Sequence, residues 1–170
     1  MTIAVLTAPL FEDVELWYPY YRLIEAGYDV ELVGADADTE YAGKRGTTVR
    51  STMAARDADP SSFDAVVIPG GYSPDHMRRV PEMVDLVKQV GTAGTPTAAI
   101  CHGPWMLASA GLASGRRMTS FPSIRDDLAN AGATWVDEEV VEDGPVITSR
   151  SPDDLPAFMR TLLERLGDRR

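Results

Sequence analysis

The chain is expected to fold as an α/β protein, a mostly parallel sheet sandwiched between helices. Short apolar runs alternate with amphipathic segments, and most of the runs are apolar at every position, as strands covered on both faces must be. The 170 residues, 44% of them hydrophobic, are enough for one substantial core, so residues 1–170 are read as a single domain.

Ile3-Thr7 reads as the first strand and Asp29-Val33 as the second. Between them Leu16, Tyr20, Leu23 and Ile24 share one helical face. That helix is expected to begin near Leu16, because Pro19 is tolerable in a first turn and harmful deeper inside, which leaves Glu12 and Asp13 in the loop and Glu15 at the junction. Ala65-Ile68 is the next buried strand, closed by Pro69-Gly70-Gly71. Pro81 to Val90 is a helix ending at Gly91, and Thr97-Ile100 is a fourth buried strand. Trp105 to Ala110 is helix-compatible. Beyond it Arg117-Ser120, Ala133-Val136, Glu139-Val141 and Val146-Thr148 read as short strands. Ser123-x-x-Asp126 has the form of a capping box opening a helix that stops before Gly132. Ser151-Pro152-Asp153-Asp154 opens the last helix, with Leu155, Met159, Leu162 and Leu166 as its apolar stripe before Gly167.

The only cysteine closes the fourth strand, and Cys101-His102-Gly103-Pro104 leads straight into a helix. A lone cysteine in a buried strand is commonly inert packing. Here it follows the apolar run, a histidine comes next, and Gly103-Pro104 supplies a turn and a favourable first helical residue. Cys101 is therefore read as a nucleophile at the crest of a strand-to-helix turn. The first helical N–H groups are expected to point at its sulfur and to favour thiolate. In parallel α/β sheets ligands bind at the carboxyl ends of strands, which here bring Glu12 and Glu15, Gly70 and Gly71, and Cys101 and His102 together. Glycines at 70 and 71 permit close backbone approach, so the N–H groups of Gly71 and His102 can receive a developing oxyanion.

Composition excludes several function classes. A formal charge of −10, with Lys and Arg scattered apart from pairs such as Arg78-Arg79 and Arg116-Arg117, argues against nucleic acid. Cys101, His76 and His102 lack metal-ligand spacing, and there is no dinucleotide-binding glycine fingerprint or phosphate-cradling loop, so no metal and no cofactor is expected. No apolar run approaches membrane-spanning length, and Met1 to Ala8 reads as a first strand rather than as a basic leader before a hydrophobic segment, so no membrane partner is expected and a cytoplasmic location is. The single cysteine cannot form an intrachain disulfide, which suits a reducing compartment. Trp17, Tyr18 and Tyr72 are candidates for a pocket or an interface, although core packing is the commoner fate of such residues.

Phe11-Glu12-Asp13-Val14-Glu15-Leu16, Tyr18-Pro19-Tyr20, Pro69-Gly70-Gly71, Ala99-Ile100-Cys101-His102-Gly103-Pro104, and Asp126-Asp127 through Asn130-Ala131-Gly132 resemble the PfpI family of intracellular cysteine peptidases, from Ile3 to about Leu166. Its wider relatives are the parkinsonism-associated deglycases and the class I glutamine amidotransferases. The resemblance implies a flavodoxin-like three-layer sandwich and a cysteine on a strained elbow. It further implies self-association, as a homodimer or a trimer of dimers, with the active site completed by the neighbouring subunit. By this resemblance Cys101 is the nucleophile and His102 its base. Glu15 is hydrogen-bonded to the sulfur and Glu12 lies close by in the pocket. Glu15 is expected to be protonated, since a carboxylate repels a thiolate whereas a neutral acid donates to it.

The acid of the family's Cys/His/acid set falls on Asp75 of the neighbouring subunit, where the family commonly has the longer Glu. Phe121 stands where the family often has Tyr. Lys44, in the Gly43-Lys44 turn, is a further candidate for the pocket, and His76 is read as a surface or interface residue. No histidine follows His102, which disfavours glutamine hydrolysis of the amidotransferase kind.

Two enzymatic readings follow: hydrolysis of a peptide or amide first, and glyoxalase or deglycase chemistry on methylglyoxal-type aldehydes close behind. A third is non-enzymatic, a redox-sensing or chaperone-like oligomer in which Cys101 oxidises.

Overall fold

The computed structural model describes residues 1–167. In chain order its elements are β1 (Thr2–Leu6), α1 (Asp13–Glu25), β2 (Asp29–Gly34), β3 (Glu40–Ala42), β4 (Thr48–Arg50), β5 (Met53–Ala54), β6 (Ala65–Ile68), α2 (Ser73–Met77), α3 (Pro81–Thr92), β7 (Thr97–Ile100), α4 (Pro104–Ser109), β8 (Arg117–Met118), α5 (Arg125–Asn130), β9 (Thr134–Trp135), β10 (Val140–Asp143), β11 (Val146–Ser149) and α6 (Leu155–Leu166). A seven-stranded sheet runs in the order β10-β11-β7-β6-β1-β2-β5. All its pairings are parallel except that of β10 with β11. The expected α/β sandwich with a mostly parallel sheet is what forms.

Alternation along each strand builds two cores. Ile3 and Val5 of β1, Val67 of β6, and Ala98 and Ile100 of β7 face Leu16 and Leu23 of α1 and Phe158 and Leu162 of α6. Ala4 and Leu6, Val66 and Ile68, and Ala99 face Met77 of α2, Met83 and Val87 of α3, and Met106 and Leu107 of α4. Burial on both faces is why these strands read as unbroken apolar runs.

Several expectations are corrected. α1 begins at Asp13 rather than near Leu16, so Pro19 lies inside the helix and Glu15 in its first turn. The local cost of Pro19 is offset by an anchor the local pattern does not reveal. Asp13 accepts the backbone N–H groups of Arg45 (2.8 Å) and Thr47 (2.9 Å) and the Thr47 hydroxyl (2.6 Å), tying the helix start to the turn between β3 and β4. That hairpin and β5 are elements without a forecast. α3 runs through Gly91 to Thr92, and the missing side chain at 91 makes room for Leu112. The Ser123 capping box does not form. Pro122–Ile124 is a single 3-10 turn, and neither it nor α5 is capped by a side chain.

Candidate active site

β1 lies between β2 and β6, so the chain moves to opposite sides of β1 and opens a crevice at the strands' carboxyl ends. The segments leaving β1, β6 and β7 meet there. Phe11 and Gly71 form an isolated antiparallel bridge, and the Glu12 N–H reaches the Gly70 carbonyl at 3.3 Å.

Cys101 follows β7 with φ 62°, a left-handed conformation that costs a non-glycine residue about 1–3 kcal/mol. The surroundings hold it. Its N–H donates to the Ser149 carbonyl of β11 (3.0 Å), and its own carbonyl accepts the Phe121 N–H (2.9 Å). Gly103 permits the tight turn, since a Cβ there would lie 2.5 Å from the Ile68 carbonyl oxygen. The expected strained elbow is thus present.

The electrostatics around the sulfur depart from expectation. The N–H groups of Gly71 and His102 point at Sγ and favour thiolate. The Gly103 N–H instead bonds the Ile100 carbonyl, and that of Trp105 bonds the His102 carbonyl, so the start of α4 does not solvate the sulfur. Cys101 is only 7% exposed. Burial and the neighbouring Glu15 carboxyl push the thiol up, outweighing the two N–H groups.

Glu15 is fully buried. Its Oε2 accepts the Gly70 N–H at 2.8 Å and the carboxyl also contacts the thiol. Burial raises its pKa to about 7 against the pull of Gly70, as expected of a protonated acid beside sulfur. Two buried acids that repel one another as anions share a proton, so thiolate exists here only together with neutral Glu15. The N–H of Gly70 is consumed by this contact. Gly70 therefore positions Glu15 and offers no donor to an oxyanion, which corrects its assignment, whereas Gly71 keeps the assigned direction.

His102 Nδ1 lies 3.2 Å from Sγ and Nε2 lies 3.2 Å from the Ser123 hydroxyl. Phe121 stacks on the imidazole (centroids 5.1 Å apart, planes at 24°), and Trp105 meets it edge-on at 5.3 Å. Burial, and then the charge of Lys44, hold its pKa below the ordinary value, so the ring is a neutral base.

Glu12 is brought beside this group but is occupied. It accepts Lys44 Nζ at 3.0 Å and Arg45 Nε at 2.9 Å. Burial pushes its carboxyl up, but these two bonds outweigh it and hold the pKa below the usual value, so Glu12 is a fixed anion. Lys44, its own pKa raised chiefly by that bond, also sits 5.2 Å from the centre of the Tyr72 ring.

Asp75 is exposed on α2, and among the described residues no hydrogen bond joins it to His102. His76 lines a separate cavity of about 400 Å³ with Tyr41 and Arg79. Trp17 and Tyr18 line an apolar surface cleft of about 620 Å³ on α1 with Val14 and Tyr21; Trp17 also packs against the core, as expected, whereas Tyr18 is exposed. Sequence reasoning missed Ser123 and Arg45. Ser123 looked like a helix cap, and nothing local distinguishes Arg45 from other surface arginines. Among the described residues no cluster of His, Cys, Asp or Glu could hold a metal ion, and no helix is long and apolar enough to cross a membrane.

The chain is similar to known proteins over nearly its whole length. The chain is 47% identical over 166 residues to a deglycase of Pyrococcus abyssi and 44% identical over 166 residues to Deglycase PfpI of Pyrococcus furiosus, covering 98% of this chain and 99% of each relative. Among solved structures, a two-domain protein of Anabaena variabilis with DJ-1/ThiJ/PfpI-like and ferritin-like domains superposes with a TM-score of 0.97 at 42% identity. The match covers 98% of this chain and 50% of that one. DJ-1beta of Drosophila melanogaster superposes at 0.89 with 31% identity, covering 99% of this chain and 91% of that one. Residues 1–165 match the DJ-1/PfpI family as a whole, and the chain belongs to it.

Proposed function

We propose that this chain is a cysteine-dependent hydrolase of the deglycase kind, acting on adducts between amines and methylglyoxal-type aldehydes. One observation carries the reading: a buried thiol lies 3.2 Å from a neutral imidazole, beside an acid able to hold a proton near neutrality and two N–H groups aimed at the same place. His102 takes the thiol proton and Sγ attacks the carbinol carbon. The amine leaves with the proton from His102. The ring then moves the proton of the sulfur-bearing carbon to its neighbour while the hydroxyl proton passes to the adjacent carbonyl oxygen, and water cleaves the resulting thioester to a hydroxy acid, returning the thiol. Neutral Glu15 donates to sulfur while it carries charge. An aldehyde-derived carbon is electrophilic enough for a thiol this buried, and the proton shuttle needs a neutral ring rather than an imidazolium.

Peptide or amide hydrolysis is the second reading, supported by the Gly71 and His102 N–H groups as an oxyanion site. Self-association as a homodimer or a trimer of dimers goes with the family, supported by the exposed Val14, Tyr18 and Tyr21 of α1. The lone free thiol supports a cytoplasmic location.

The test compares wild type with Cys101→Ser on methylglyoxal-treated N-acetylated amino acids and on a fluorogenic peptide panel, after reduction. Loss of amine release by at least ~100-fold with no peptide cleavage in either protein is the expected result. Amine release that survives the substitution overturns the reading, and Cys101-dependent peptide cleavage without it puts the second reading first.

A further inference from the structure

The two ends of the His102 ring are held by different elements. Nδ1 faces Cys101 Sγ, its sequence neighbour, and Nε2 faces Ser123 Oγ from a turn 21 residues further on. That turn is tied to the elbow itself. The Phe121 N–H donates to the Cys101 carbonyl at 2.9 Å, the Phe121 ring lies on the imidazole, and Pro122 sits in the first position of the turn, where its ring fixes φ. A serine before a short helix ordinarily spends its hydroxyl on capping N–H groups. Here neither the turn nor α5 receives a side-chain cap, and the hydroxyl is spent on the histidine.

We propose that Ser123 is the positioning residue of His102: its Oγ accepts the Nε2 proton, which leaves the Nδ1 lone pair facing the Cys101 thiol. The inference rests on Cys101 and His102 as the reacting pair. When the thiol proton passes to Nδ1, the ring becomes imidazolium with one N–H on sulfur and the other still on Ser123, so no contact is broken in the transfer. A hydroxyl orients without adding charge. A carboxylate at Nε2 would raise the imidazole pKa and store the pair as thiolate and imidazolium, whereas Ser123 leaves the ring neutral and able to give the proton back. The charged groups around the ring are consistent with this. Lys44 approaches from the β3–β4 hairpin and Cys101 from the elbow. Asp127 and Arg78 are engaged behind Trp105, through its indole N–H (2.9 Å) and over its ring (5.5 Å).

The chain has two histidines, so a His76→Gln background leaves His102 as the only imidazole in a ¹⁵N spectrum. In that background the ring nitrogens are followed through a pH titration in otherwise unchanged protein and in Ser123→Ala, Ser123→Thr, Ser123→Asp and Asp75→Ala, with turnover of the aldehyde adduct measured alongside. Without a further substitution the neutral ring shows a single tautomer protonated on Nε2. Ser123→Ala gives a tautomer mixture and lowers kcat about 10-fold with KM changed less than twofold, and Ser123→Thr restores both. Ser123→Asp raises the His102 pKa by about one unit or more and moves the acid limb of the rate profile up with it.

An unchanged tautomer in Ser123→Ala overturns the proposal, as does a tautomer lost in Asp75→Ala instead. The spectrum needs no turnover, so a wrong substrate class, seen as activity indifferent to Cys101, is told apart from a wrong role for Ser123.

Discussion

Glu15 shows how one residue is made an acid by its place. The same side chain in a solvated helix entrance would ionise near 4.5, whereas here burial raises the value to about 7. Between those two pH values the folded chain holds a proton that the unfolded chain has released, so stability falls as pH rises through that window and is lowest above it. The shift corresponds to about 3 kcal/mol at most, and the coupling to Cys101 spreads part of it over the pair. Glu15→Gln keeps the shape and removes the titration. Urea unfolding at pH 5 and pH 8 is expected to show wild type losing stability between the two and the Gln variant losing about 1–3 kcal/mol less. Equal losses in both proteins would mean that Glu15 ionises normally and that sulfur has no acid beside it. Cys101 shows the converse. Its chain position announced a nucleophile, and its left-handed φ bears that geometry out, but the burial that pushes the thiol up depends on residues far away in sequence.

At the scale of elements, what was legible in the sequence is what local pattern controls. Strands β1, β6 and β7 and their carboxyl ends were visible because burial on both faces demands unbroken apolar runs. The start of α1 was not, because it is decided by a hairpin more than 30 residues away, through Asp13 on the turn at Arg45 and Thr47. The same hairpin delivers Lys44 and Arg45 to Glu12, so one element sets both where the helix begins and how Glu12 is charged. Ser123 was misread for a related reason, since a hydroxyl before a helix has two possible uses and only the position of His102 selects between them. Asp13→Ala leaves two backbone donors and a hydroxyl without their acceptor, and is expected to cost about 3 kcal/mol in urea unfolding with an unchanged m-value. Thr47→Val, which removes only the hydroxyl, is expected to cost about 1 kcal/mol. A loss under 0.5 kcal/mol for Asp13→Ala would show that Pro19 is tolerated without the anchor.

For the whole molecule the question is whether one chain holds a complete site. The carboxyl ends of β1, β6 and β7 bring Glu15, Gly71 and Cys101 together, and the turn after β8 adds Phe121 and Ser123. The thiol, the imidazole, the Glu15 carboxyl, the N–H groups and the hydroxyl at Nε2 are thus brought together within one chain. Asp75, the residue implied to act across a subunit boundary, is exposed on α2, and the imidazole nitrogen it would serve already has a partner. A site complete in cis and a site shared between subunits give different arithmetic on mixing. If the site is complete, Asp75→Ala retains most of the wild-type rate, and an equimolar, subunit-exchanged mixture with Cys101→Ser shows the mean of the two parents. If Asp75 is needed in trans, both parents are inactive. In a randomly exchanged dimer half the assemblies are then mixed, each with one working site, so about a quarter of the wild-type rate returns. The geometry of His102 predicts the first outcome. Recovery from two inactive parents would move the orienting role from Ser123 to the neighbouring subunit and make assembly a condition of catalysis.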